Sequence, residues 1–233
     1  MQEAKPRMTE RLASTDERDA AGVVLAGGQS RRMGRDKALV LLAGRPLIEH
    51  ALATLREAGL LAAIAGACPD ASCTLATYAP IVPDPQPGLG PLAGICTALE
   101  AASARFVVIL PIDLPLLPPS LVAYLLHHAR ITGRAVTVPS VNGFNQTFPV
   151  VLERSAFPAL RAELHSGKRG CFSAFQAAAE SFGQPIAVVA VEMLAQSGQV
   201  AHPFGLAPLH WFLNVNAPRD LQRAEALWLH AIA

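Results

Sequence analysis

Apolar runs of strand length alternate with segments of helix length along this chain, and that pattern predicts a doubly wound α/β fold. A mostly parallel central sheet with helices on both faces is the architecture expected. Two further observations support it. Val23-Val24-Leu25 runs straight into Gly27-Gly28, the junction expected where a buried parallel strand ends in an anion-binding turn. The composition suits one domain with a generous core: 233 residues, 52% hydrophobic and 16% charged.

Taken in order, the first strand is placed at Gly22 to Leu25. Pro46 to Ala58 reads as an amphipathic helix, with Leu47, Ile48, Ala51, Leu52 and Leu55 on one face and Gly59 as its stop. Leu61 to Ala65 and Ile81-Val82 are short buried strands. Leu92 to Ala102 is a helix opening after Pro91, and Phe106 to Leu110 is the central strand. Pro118-Pro119 precede a helix over Ser120 to Ala129. Ala135 to Val138 and Phe148 to Leu152 are strands, with Pro139 to Thr147 as a loop between them. Helices over Phe157 to Leu164 and Cys171 to Ala179 bracket the basic loop Ser166-Gly167-Lys168-Arg169-Gly170. Ile186 to Val191 is a strand, and a last helix opens at Asn216-Ala217-Pro218, with Asn216 placed as its N-cap.

Composition also excludes functions. A net charge of +1 gives no global attraction to nucleic acid or membrane. No apolar run approaches the roughly 18–20 residues that cross a bilayer. Cys68, Cys73, Cys96 and Cys171 form no Cys-x-x-Cys pair and read as reduced thiols. Residues 1–20 are charged and lack a secretory stretch, so they read as a leader before a domain over 21–233, and the expected location is cytoplasmic.

The useful positive charge is local. Leu25-Ala26-Gly27-Gly28-Gln29-Ser30-Arg31-Arg32-Met33-Gly34-Arg35-Asp36-Lys37 joins a strand end to glycines and then to basic residues. Glycine lets backbone N–H groups approach an anion, and Arg32 and Lys37 add charge where a triphosphate needs it. The loop is neither a Walker A sequence nor a Gly-x-Gly-x-x-Gly fingerprint. Asp113, in Pro111-Ile112-Asp113-Leu114-Pro115, follows five apolar residues and falls at the carboxyl end of a central strand, where open α/β sheets bind ligands. An aspartate there either holds Mg²⁺ against phosphate oxygens or caps a turn. Asp84, between Pro83 and Pro85, suits a turn.

The thirteen-residue loop resembles the signature of the molybdenum cofactor nucleotidyltransferases. Its Gly-Gly form points to the guanylyltransferase branch. Gly90-Pro91-Leu92-Ala93-Gly94, Pro111 to Pro115 and Asn214-Val215-Asn216-Ala217-Pro218 extend the resemblance, which runs from Gly22 to Leu221. It implies a Rossmann-like single domain of the nucleotide-diphospho-sugar transferase type. It also implies transfer of GMP from GTP to the phosphate of molybdopterin, with release of pyrophosphate and Mg²⁺ as cofactor. The resemblance gives Arg32, Lys37 and Asp113 catalytic roles. Leu25, Ala26, Gly27, Gly28, Lys37, Asp84, Gly90 and Asp113 fall to the nucleotide, and Asp113 with Asn216 to the metal. Transient contact with molybdoenzymes or cofactor carriers is a further expectation.

Two departures stand out. Ala65-Gly66-Ala67-Cys68 lacks the asparagine often found after the second strand. Asn145-Gln146-Thr147-Phe148-Pro149 replaces the usual acceptor-side Gln/His-Pro-Leu run. The nearest alternative is a cytidylyltransferase, whose loop more often reads Leu-Ala-Ala-Gly. Gly27 would then favour a purine by removing a methyl near the base. A sugar-1-phosphate nucleotidyltransferase, or an inactive nucleotide-binding module on the same scaffold, are the other readings.

Overall fold

The computed structural model describes residues 19–27, 36–66, 74–84 and 88–232. Strand β1 (Ala20–Leu25) pairs in parallel with β4 (Ala62–Ala65) on one side and β6 (Phe106–Pro111) on the other. β5 (Ile81–Val82) extends the β4 side, also in parallel. On the β6 side come β9 (Val150–Glu153), antiparallel, then β7 (Val136–Val141), then β10 (Ala187–Ala190) at the edge. The order is therefore β10-β7-β9-β6-β1-β4-β5, with β6 in the middle as predicted.

Alternation along the two central strands builds a core on each face. Ala20 and Val24 of β1 join Phe106, Val108 and Leu110 of β6 beneath helices α1 (Leu47–Glu57) and α3 (Pro119–Thr132). Val23 and Leu25 join Val107 and Ile109 beneath α2 (Pro91–Ala101), α4 (Phe157–His165) and α5 (Cys171–Ser181). Cys96 and Cys171 are buried and unpaired in this second core, where burial pushes both thiols up to about 11. Cys68 and Cys73 lie outside the described residues, as do residues 1–18 of the predicted leader; Ala20 already belongs to β1.

The structure corrects one expected loop, moves the start of the last helix and adds several short elements. Pro139 to Thr147 is not a loop: β7 continues to Val141 and turns through Asn142 (φ 52°) and Gly143 (φ 75°) into β8 (Phe144–Asn145). A second hairpin, β2 (Leu41–Leu42) to β3 (Arg45–Pro46), turns through Ala43 and Gly44, again at positive φ. Both are two-residue turns of the twist-matched hairpin kind. Helices α6 (Val191–Gln196) and α7 (Pro208–Trp211) precede the final helix α8 (Pro218–Ile232), which starts one residue later than an N-cap at Asn216 would place it. Trp228 of α8 packs edge-on against the buried His50 ring of α1, with centroids 4.9 Å apart. No helix among the described residues is long and apolar enough to cross a membrane.

Candidate active site

Four parallel strands, β5, β4, β1 and β6, end on one edge of the sheet. Asp84, Gly66, Gly27 and Asp113 follow those ends in that spatial order, so Asp84 and Asp113 are three strand spacings apart, about 14 Å. Chain order reverses between β1 and β6, which makes this edge the topological switch point where such sheets bind ligands.

The end of β1 is fastened to both neighbours. The Ala26 amide donates to the Ala65 carbonyl at 2.9 Å, and the Ile112 amide to the Leu25 carbonyl at 3.3 Å. Beyond it the backbones crowd. A Cβ on Gly27 would stand 2.6 Å from the Gly66 carbonyl oxygen, and one on Gly94 3.2 Å from a Leu25 methyl. The neighbouring strand therefore accounts for glycine at position 27 without reference to the base. Gly66 itself has φ +71°, a conformation that side chains rarely adopt. Gly90, at φ +88°, is the N-cap of α2, and Pro91 fills its first turn. Gly94 holds that first turn against Leu25 and Gly66, so the helix N-terminus, with its partial positive charge, lies beside the end of β1.

At the end of β6, Ile112 and Leu114 are buried on either side of Asp113 and fix its backbone. The Val215 amide donates to the Asp113 carbonyl at 2.9 Å, which brings the Asn214-Val215-Asn216 segment to the strand end. Val215 is fully buried with Val40, Leu42, Leu47 and Leu116. On the third side, the Asp36 carboxylate accepts the Ala38 amide at 3.0 Å and caps the short turn that carries Lys37.

These three supports bring three side chains together. Lys37 Nζ donates to Asp113 Oδ2 at 3.1 Å and to Asn216 Oδ1 at 2.5 Å. Positions 76 and 179 residues from Lys37 in sequence thus meet at one ammonium. Asn216 does not cap α8 as expected. Asp220 takes that duty, its Oδ2 accepting the amides of Asn216 at 3.0 Å and Ala217 at 2.8 Å. The Asn216 side chain is thereby free to turn toward Lys37. An acidic residue in the first turn after Asn-Ala-Pro is the sequence signal of a reach-back cap, and it could have identified Asp220.

Other predicted positions are placed less directly. Leu25, Ala26 and Gly27 form the strand end, Gly90 the helix start, and Asp84 follows β5 on the same edge. Gly28, Arg31, Arg32 and Arg35 lie outside the described residues. In the basic loop, Lys168 pairs with Glu163 at 2.9 Å, whereas Arg169 Nη1 donates to the Leu89 carbonyl at 3.0 Å and so braces the turn that leads to Gly90. On the acceptor side, Asn145 is exposed in β8 and pairs with Ser140, and the Gln146 amide donates to the Pro139 carbonyl at 2.8 Å.

Residues 22–181 match the MobA-like NTP transferase domain. The chain belongs to this family. The molybdenum cofactor guanylyltransferase of Rhizobium meliloti (strain 1021) is 34% identical over 89% of this chain and 90% of its own. That of Rhizobium johnstonii is also 34% identical, over 94% of this chain and 97% of its own. Among solved structures, molybdopterin-guanine dinucleotide biosynthesis protein A of Archaeoglobus fulgidus superposes with a TM-score of 0.73 at 24% identity, covering 90% of this chain and 99% of that one. The likeness extends the family fold, a Rossmann-like nucleotidyltransferase sheet, across nearly the whole chain. Family membership and fold both agree with the reading made from the signature loop.

Proposed function

We propose that this protein transfers GMP from GTP to the phosphate of molybdopterin, forming the guanine dinucleotide cofactor and releasing pyrophosphate. The observation that carries the proposal is the meeting of Lys37, Asp113 and Asn216 at the switch-point edge, in a chain whose relatives bear the guanylyltransferase name. The choice of guanine rests on those relatives, because Gly27 is explained by Gly66.

Mg²⁺ fits the donor set. Asp113 and Asn216 offer two hard oxygens that already converge on one positive charge, the Lys37 ammonium. Among the described residues no group of three or more His, Cys, Asp or Glu gathers as a metal cluster. A single carboxylate with one amide oxygen suits a cation whose remaining ligands are phosphate oxygens and water. When bound, such a cation would neutralise charge on the reacting phosphates.

The remaining chemistry belongs to the chain. An oxygen of the molybdopterin phosphate attacks the α-phosphorus of GTP; the new P–O bond forms as the bond to the β-phosphate bridging oxygen breaks. The nucleophile is already ionised, so no side chain has to take its proton. Lys37 moves onto the phosphates and stabilises the leaving pyrophosphate together with Arg32, while Asp113 and Asn216 keep the edge anchored. The backbone around Gly27 and the N-terminus of α2 hold the nucleotide in line. The test is pyrophosphate release with each of the four nucleoside triphosphates, with and without molybdopterin. Release that needs both GTP and molybdopterin supports the reading; equal or greater use of CTP overturns the guanylyl assignment.

A further inference from the structure

Asp113 Oδ2 and Asn216 Oδ1 share one partner, Lys37 Nζ, and the three groups differ in freedom of movement. Both oxygens sit on short side chains whose backbones are pinned, Asp113 by the Val215 amide and Asn216 by the Asp220 carboxylate. Lys37 carries its charge on a four-carbon stem with rotatable bonds. The side chains of Lys37 and Asp113 are largely buried, at 12% and 23% exposed, while Asn216 is exposed. A divalent cation on the same two oxygens would stand against this ammonium, positive charge to positive charge.

We propose that Lys37 is the resident cation of the free protein: its ammonium holds the two oxygens together and leaves when a divalent cation is taken. This rests on the reading of Asp113 and Asn216 as the metal site. A triphosphate supplies both halves of the exchange, new anionic oxygens for the ammonium and the ligands that a single carboxylate cannot provide. Metal and nucleotide are then coupled, each strengthening the other by the same factor, because either one alone has to oppose the Lys37 clamp.

The experiment is Mn²⁺ binding to the nucleotide-free protein, followed by the loss of the free-ion paramagnetic resonance signal. Lys37→Met and Lys37→Gln each remove the resident charge, and circular dichroism checks their folding. Both are expected to bind Mn²⁺ at least about fivefold more tightly than the natural protein, since the fraction of sites open to the cation rises. Adding Asp113→Asn to either variant is expected to abolish that gain. Arg223→Gln removes an exposed positive charge of α8 that is not on the two oxygens, and is expected to change nothing. Unchanged or weaker Mn²⁺ binding by both Lys37 variants overturns the exchange while leaving the metal site standing, provided that Asp113→Asn alone weakens binding. A gain that survives Asp113→Asn overturns the metal site as well. An equal gain from Arg223→Gln reduces the effect to bulk charge and also refutes the proposal.

Discussion

Gly27→Ala separates two explanations of the signature loop. The added methyl would stand 2.6 Å from the Gly66 carbonyl oxygen, against 3.4 Å or more for an ordinary contact, so the strand ends must part by about 0.8 Å. Gly27 itself does not occupy the left-handed region, and the obstacle is therefore purely steric. The neighbour is backbone, fastened by the Ala26–Ala65 hydrogen bond, and cannot swing aside as a flexible side chain would. Overpacking of this kind costs about 1–3 kcal/mol. For a chain of this size that lowers the melting temperature by about 2–12 °C. A shift approaching 1 Å beneath the reacting phosphates costs on the order of 10²-fold in turnover. Because the displaced groups are backbone beneath the nucleotide, affinities for GTP and CTP should fall together. Calorimetric titration of both nucleotides, alongside thermal unfolding, reads the outcome. A variant that melts normally and loses GTP while keeping CTP would refute the packing explanation and restore base size as the reason for the glycine.

Asp113→Asn keeps an acceptor for Lys37 but removes the negative charge, and turnover should fall at least about 10²-fold with folding intact; near-normal pyrophosphate release by the folded variant would remove Asp113 from the machinery. Asp220→Ala strands the amides of Asn216 and Ala217 and should destabilise the protein by about 0.5–2 kcal/mol in urea unfolding, with Asp220→Asn recovering most of the loss. His202 is buried, its Nδ1 accepting the Phe204 amide at 3.1 Å and its Nε2 standing 3.1 Å from the Leu116 carbonyl, which fixes the neutral Nε2–H form. Burial holds its pKa below the ordinary 6.5, outweighing the Leu116 contact. Its stabilisation is thus complete above pH 6.5 and declines as pH falls toward the lowered value, where the unfolded chain binds the extra proton. His202→Gln should flatten this acid limb below pH 6.5 in denaturation curves, and an unaltered slope would count against it.

Much of this site was legible in the sequence because its chemistry comes in short motifs. Lys37, Asp113 and Asn216 each stand in a recognisable string, and apolar runs placed β1 and β6 with their carboxyl ends together. What escaped was long-range or very short. Gly66 lies 39 positions beyond Gly27, and nothing in either string says that their backbones touch. The β2–β3 and β7–β8 hairpins contain strands of two residues, too short to show alternation, although Asn142-Gly143 is a strong turn signal. Asn216 was read as a cap because asparagine favours that position. The competing acceptor, Asp220, was visible in the sequence, but only the structure shows which carboxylate wins.

The hydrogen bond from Val215 to Asp113 also sets a timetable. Every strand of the sheet is complete once residue 190 has been added. Asn216 arrives 26 residues later and enters the site only after Val215 has docked beneath Leu116. A polypeptide cut short between these two points carries every strand of the sheet and lacks one of the three converging groups. Under the proposed mechanism, competence therefore comes last in synthesis.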